Sequence, residues 1–194
     1  MIRVISVLVL GAALSGCVSL GGKPPESLLS LSSAARVAAD DARTAQAGEA
    51  ITIHVPVVPQ ALASTRVLVT NGATALAYVK DAVWAEPPAR LFQRVVSETV
   101  AAKTGRVVLD VRQLALDQGT QVTGTLSAFG IDPEAGQAVV TYDAAMTSDH
   151  GRTVRTRRFE ARVPVDEIEP TSVGRALNAA TNKVAGDVAG WIAG

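Results

Sequence analysis

Cysteine is almost missing from this chain: Cys17 is the only one in 194 residues. No disulfide can form within the molecule, and no thiol beyond that position can serve catalysis or metal binding. Aromatic residues make up 4%, and lysine plus arginine, at 18, equal aspartate plus glutamate, at 18. A chain with neither net charge nor many stacking rings lacks both the field and the platforms that nucleic acid requires. The two histidines, His54 and His150, fall in no spacing of a metal site or catalytic triad. Gly-x-Ser-x-Gly, His-Glu-x-x-His, Gly-x-x-x-x-Gly-Lys and Gly-x-Gly-x-x-Gly are all absent from the sequence, which removes the usual nucleophile, zinc, phosphate and dinucleotide signatures. Asp110, Asp117 and Asp143 stand as isolated carboxylates. The expectation is a protein that works by binding, without catalysis, cofactor or metal.

What is present begins at the N-terminus. Arg3, an apolar stretch from Val4 to Leu10, and Gly11-Ala12-Ala13-Leu14-Ser15-Gly16-Cys17 follow one another. This resembles a bacterial lipoprotein export signal, with residues 1–16 removed after export, because the apolar part is too short to remain as a membrane span. Leu14 to Cys17 is similar to a lipobox, which implies that the Cys17 sulfur takes a diacylglycerol, and palmitate-type acyl chains anchor the new N-terminus. Each buried methylene contributes about 0.8 kcal/mol to such an anchor. Val18, rather than Asp, follows the cysteine; by resemblance to enterobacterial sorting signals, this favours the outer membrane, with the domain facing the periplasm.

Residues 17–49, with Gly21-Gly22, Pro24-Pro25 and several serines, read as a lipidated N-terminus and tether. Leu28, Leu29 and Leu31 interrupt it, and at least part of the tether is expected to dock as a short strand. Residues 50–194 read as one domain. Ile51 to Val57 alternates with period two, which places Ile51, Ile53, Val55 and Val57 on one buried face, with Pro56 ending the strand or marking an edge. Arg66–Thr70 and Ala75–Val79 flank Asn71-Gly72, a hairpin signal. Pro87 and Pro88 open a helix over 86–104 with a stripe of Leu91, Phe92, Val95, Val96, Thr99 and Val100, which Gly105 stops. Stretches 106–111, 121–130, 137–147 and 152–163 read as four strands in a meander. Thr171 or Ser172 is expected to cap a last helix whose stripe is Val173, Leu177, Ala180, Val184, Val188, Trp191 and Ile192. The order βββ-α-ββββ-α gives an α+β fold: a two-layer sandwich, its sheet largely antiparallel, with two helices on one face.

Val67-Leu68-Val69, then Tyr78-Val79-Lys80-Asp81-Ala82-Val83-Trp84-Ala85-Glu86-Pro87-Pro88, then Leu91-Phe92 on a helix, is similar to the hallmark of the ABC-type transport auxiliary lipoproteins. In that family a strand pair leads to a tyrosine, a tryptophan, a proline and a helix. Its usual Tyr-x-Leu near the mature N-terminus is here Leu29-Ser30-Leu31. The resemblance implies an adaptor of an Mce- or Pqi-type lipid transport system that docks an envelope-spanning MCE-domain protein at the outer membrane. The implied partners are that protein, an inner-membrane permease and an ATPase, with a homo-oligomer around the bridge also compatible. The rival reading is an outer-membrane assembly or secretion lipoprotein that binds a barrel.

Tyr78 and Trp84 are candidates for sealing the core and for meeting a partner, since such rings suit both uses. Arg152, Arg155, Arg157, Arg158 and Arg162 crowd one strand. Arginines protect an exposed edge from aggregation, and they also suit phosphate or an acidic surface. Period two sets Arg155 and Arg157 on one face and Arg158 on the other, so Arg155 and Arg157 are the candidate contacts.

Overall fold

The computed structural model describes residues 27–72, 74–116 and 119–194. The expected signal peptide, Cys17, Val18 and Asp117 lie outside the described residues. The elements run β1 (Ile51–Ile53), β2 (Arg66–Asn71), β3 (Ala75–Val83), α1 (Pro88–Thr104), β4 (Val108–Leu109), β5 (Thr120–Asp132), β6 (Gln137–Ser148), β7 (Thr153–Pro164) and α2 (Pro170–Ala193). The order βββ-α-ββββ-α stands, and the strands form one seven-stranded sheet.

β5 organises that sheet. One of its edges carries β6 in antiparallel register from Gln121↔Thr147 to Asp132↔Gln137, and β6 in turn carries β7. The other edge is shared: β1 pairs parallel with its start at Ile51↔Thr120, and β2 pairs parallel with its end at Val69↔Ile131. The long ladders are antiparallel and the parallel ones short. Strand β4 does not join the expected meander. It pairs parallel with β1, because α1 carries the chain across the sheet before it returns, as a parallel connection requires.

A bulge in β5 keeps both of its halves facing the helices. Leu126 faces Tyr142 while Ala128 faces Thr141, so Ser127 is the extra residue and the inward parity switches from Val122 and Leu126 to Phe129 and Ile131, all buried. β6 needs no such correction: Ala138, Val140, Tyr142, Ala144 and Met146 alternate inward. Tyr142 and Phe159 sit opposite each other across β6 and β7. Phe92 of α1 meets the first ring at 5.0 Å and Trp191 of α2 meets the second at 5.6 Å, so both helices lie on the same face.

The helical stripes are buried as the spacing predicts. α1 ends at Gly105, whose φ of 69° allows its N–H to reach the Ala101 carbonyl. α2 starts earlier than Thr171 or Ser172: Glu169 holds the cap position without a side-chain bond, and Pro170 is the first helical residue, a place where its missing N–H costs nothing. Strand β1 is shorter than the alternation suggests. Pairing lapses around Pro56 and resumes with the Val57↔Thr125 bridge, and the phase slips, leaving Pro56 buried while Val55 and Val57 are exposed.

From Leu29 onward the stretch read as a tether is part of the domain. Leu29 bridges Trp84 in parallel, its N–H bonded to the Val83 carbonyl and its carbonyl accepting from Ala85, both at 2.8 Å. Leu31 is buried in the core. The backbone then crosses the two helices, with Ser32 and Ala34 donating to Asn178 and Asn182 at 2.9 and 2.7 Å, and Val37 donating to Glu98 at 2.9 Å. Arg43 continues the strap to the Ala101 and Arg106 carbonyls. Leu31→Ala should therefore cost about 2–4 kcal/mol, as for a core leucine. Leu28→Ala, at a side chain 56% exposed, should cost less than about 0.5 kcal/mol. Chemical denaturation measures both, and equally small losses would show that the strap is not part of the core.

Candidate functional site

The aromatic crossover is built by an irregular strand end. Arg66 faces Val83 while Leu68 faces Tyr78, so β3 spends three more residues than β2 there, with Asp81 at a φ of 57°. This turns Trp84 inward. It is 1% exposed and packs on Phe129 at 5.6 Å, and its indole N–H has no hydrogen-bond partner. The ring fills the core and offers no surface to another molecule. Tyr78 is half-buried: its hydroxyl donates to the Ala61 carbonyl at 3.4 Å, and the Arg66 guanidinium lies 4.0 Å over its ring. Only a rim of that residue faces outward.

The arginines of β7 divide by face, as period two requires. On the sheet face away from the helices, Arg158 pairs with Asp143, and Arg162 pairs with Glu160 at 2.9 Å and approaches Asp132 at 3.7 Å. The Arg158 hydrogen bond, opposed by partial desolvation and helped by Ser127, holds the Asp143 carboxyl below the usual carboxylate range. Arg162, with Thr141, does the same for Glu160. On the helix side, Arg155 and Arg157 have no carboxylate partner among the described residues. Their guanidinium carbons lie 5.5 Å from the Trp191 ring and 5.1 Å from the Phe159 ring, a geometry that attracts a cation to a π face and leaves its N–H groups free to donate.

These residues lie at the end of the molecule away from the point where the chain joins it. Leu29 sits against the first turn of α2, where a Cβ on Gly174 would come within 2.9 Å of its side chain. Arg155 sits at the last turn, beside Trp191. Helix rise between Gly174 and Trp191 separates the two places by about 25 Å. The β6–β7 turn, with Asp149 and His150 at positive φ, marks the same far end. There Thr153 occupies Asp149 with a 2.7 Å hydrogen bond.

Other side chains that the sequence singles out are engaged locally. His54 is hydrogen-bonded to Gln121 at 2.8 Å. Asp110 pairs with Arg112 and Asp143 with Arg158, so these two carboxylates do not converge. Among the described residues no group of three or more histidine, cysteine, aspartate or glutamate side chains could hold a metal ion, and no helix is long and apolar enough to cross a membrane. A cleft of about 530 Å³ runs beside the strap, lined by Leu31, Ser33, Arg36, Glu98, Val108 and Asp110 among others. Its walls mix charges of both signs. Burial pushes the Tyr142 phenol well above its ordinary range, and its hydroxyl is bonded to the Thr123 carbonyl at 3.1 Å. The strap contacts of Asn178, Asn182 and Glu98 were not legible in the sequence, where isolated amides on a helix look like ordinary solvated positions.

Comparison with known proteins bears on what such a surface serves. The family described as ABC-type transport auxiliary lipoprotein component matches residues 29–189. No curated protein matches the chain. A crystal structure of a protein from Xanthomonas campestris is similar at 16% identity and a TM-score of 0.71, covering 86% of this chain and 94% of that one. A second crystal structure, of an uncharacterized protein, is similar at 11% identity and a TM-score of 0.66, covering 86% and 99%. At these identities the two structures establish the fold.

The Asp143–Arg158 pair makes a titration prediction. Because the folded-state value of Asp143 is lowered, its stabilising contribution is present above the ordinary carboxylate range and is lost as pH falls through the lowered value. Arg158→Ala should move Asp143 up towards the ordinary range, as read by carboxyl-carbon NMR titration. An unchanged titration would mean that the pair does not form in solution.

Proposed function

Because the chain belongs to the family of ABC-type transport auxiliary lipoprotein components, we propose that it is the lipid-anchored adaptor of an MCE-type ABC lipid transport system, docking an envelope-spanning MCE-domain protein at the outer membrane. The observation that carries this reading is the extent of the match: it begins at Leu29, the residue at which the strap joins the sheet. Strap and domain thus read as one unit. A permease and an ATPase at the inner membrane move or gate the lipid, and this chain holds and positions the bridge without a catalytic step of its own.

The architecture supports that division of labour. Leu29 follows Cys17 by twelve positions, and even fully extended that stretch spans only about 40 Å. With the lipid on Cys17, the end of the domain bearing Leu29 stays near the bilayer. The open strand with Arg155 and Arg157, at the opposite end, is then the side offered to a partner arriving from the inner membrane. Placement at the outer rather than the inner membrane rests on Val18 after the cysteine.

Crosslinking the lipidated protein in its own cells, with Cys17→Ala as the control, and identifying what it captures tests the proposal. Recovery of an MCE-domain protein with its permease and ATPase, reduced severalfold or more in the control, is the expected outcome. Recovery of an outer-membrane barrel alone would overturn it.

A further inference from the structure

We propose that the outer edge of β7, from Thr153 to Arg158, takes an extended acidic segment of a protein partner as an added strand, with Arg155 and Arg157 binding its alternate carboxylates. Among the described residues β7 pairs only with β6, so along its free side the backbone N–H and C=O groups are left open by them. Residues 153–158 are all exposed, and the strand's one proline is Pro164, at its far limit. This stretch has the length and regularity that strand addition uses.

Charge selects the partner. Every arginine on the opposite face of β7 is matched by a carboxylate of the sheet, whereas Arg155 and Arg157 rest on aromatic rings with none. Asp149, in the adjoining turn, is held by the Thr153 hydroxyl. Arg155 and Arg157 are two residues apart on one face, a separation of about 6.8 Å along a strand. That is the same spacing at which an added strand presents its alternate side chains. Val154, 62% exposed on the other face, gives the apolar positions of such a segment a cross-strand neighbour. Anionic headgroups would use the guanidinium groups but not the backbone edge. The edge therefore suits a peptide better than a bilayer. The adaptor reading supplies only the identity of the partner; the edge is tested without it.

The probe is a ten-residue peptide alternating valine and glutamate, with a valine–lysine peptide as control, added to the mature chain in detergent. Binding of the acidic peptide alone, weakened by salt, with new hydrogen-exchange protection at amides 153–158, is the expected result. The double variant Arg155→Glu, Arg157→Glu should lose affinity at least tenfold while its thermal melting stays unchanged. No binding, or binding without protection at 153–158, overturns the proposal. So does capture of phosphatidylglycerol vesicles in place of the peptide, or self-association that the same double variant abolishes, which would assign the edge to a bilayer or to a second copy. If the peptide binds as expected but crosslinking finds no MCE-domain protein, the adaptor reading fails and the edge stands.

Discussion

Two backbone hydrogen bonds, from Leu29 N–H to the Val83 carbonyl and from Ala85 N–H to the Leu29 carbonyl, tie the strap that begins at Leu29 into the sheet. Their position determines much else. They join the chain at the turn between β3 and α1, beside the first turn of α2, so the molecule is held from one end. Leu31 then enters the core, and side chains of both helices capture the next backbone groups.

The sheet gives this arrangement its two ends. β5 is long enough to serve two parallel neighbours on one edge, β1 at its start and β2 at its end, while β6 and β7 extend the other edge across its full length. The helix layer covers the inward face of this array, but the first half of β7 stays exposed on both sides. An exposed edge is an aggregation hazard that charge normally blunts. Here the charge on one face is neutralised within the sheet, and on the other it is left unmatched over aromatic rings. Protection and recognition can thus use the same residues, because arginines repel another basic edge and accept an acidic one.

Periodicity carried most of this fold into the sequence. The helical stripes and the strict alternation of β6 leave only one way to bury their apolar residues, and the succession of elements follows. What stayed hidden were places where the period breaks. Nothing in Leu126-Ser127-Ala128 announces the bulge that keeps β5 facing inward, and Pro56 signals an interruption of β1 without showing that pairing resumes one residue later. The pairing of β4 with β1 joins residues too far apart in sequence for local pattern to reveal. In the candidate site, period two correctly separated Arg155 and Arg157 from Arg158. Burial of Trp84 depends on the irregular end of β3, which residue spacing does not encode.

The central claim is that the anchored chain presents the β7 edge away from its membrane. Cys17 is the sole cysteine and its sulfur is blocked once it carries the diacylglycerol, so a cysteine introduced elsewhere takes a fluorescent label uniquely. The lipidated protein on a bilayer containing an acceptor lipid, labelled at either Ala135→Cys in the β5–β6 turn or Thr156→Cys on β7, gives the two heights by energy transfer. Strong transfer from position 135 and weak transfer from position 156 is the result this account predicts; equal transfer, or the reverse order, would contradict it.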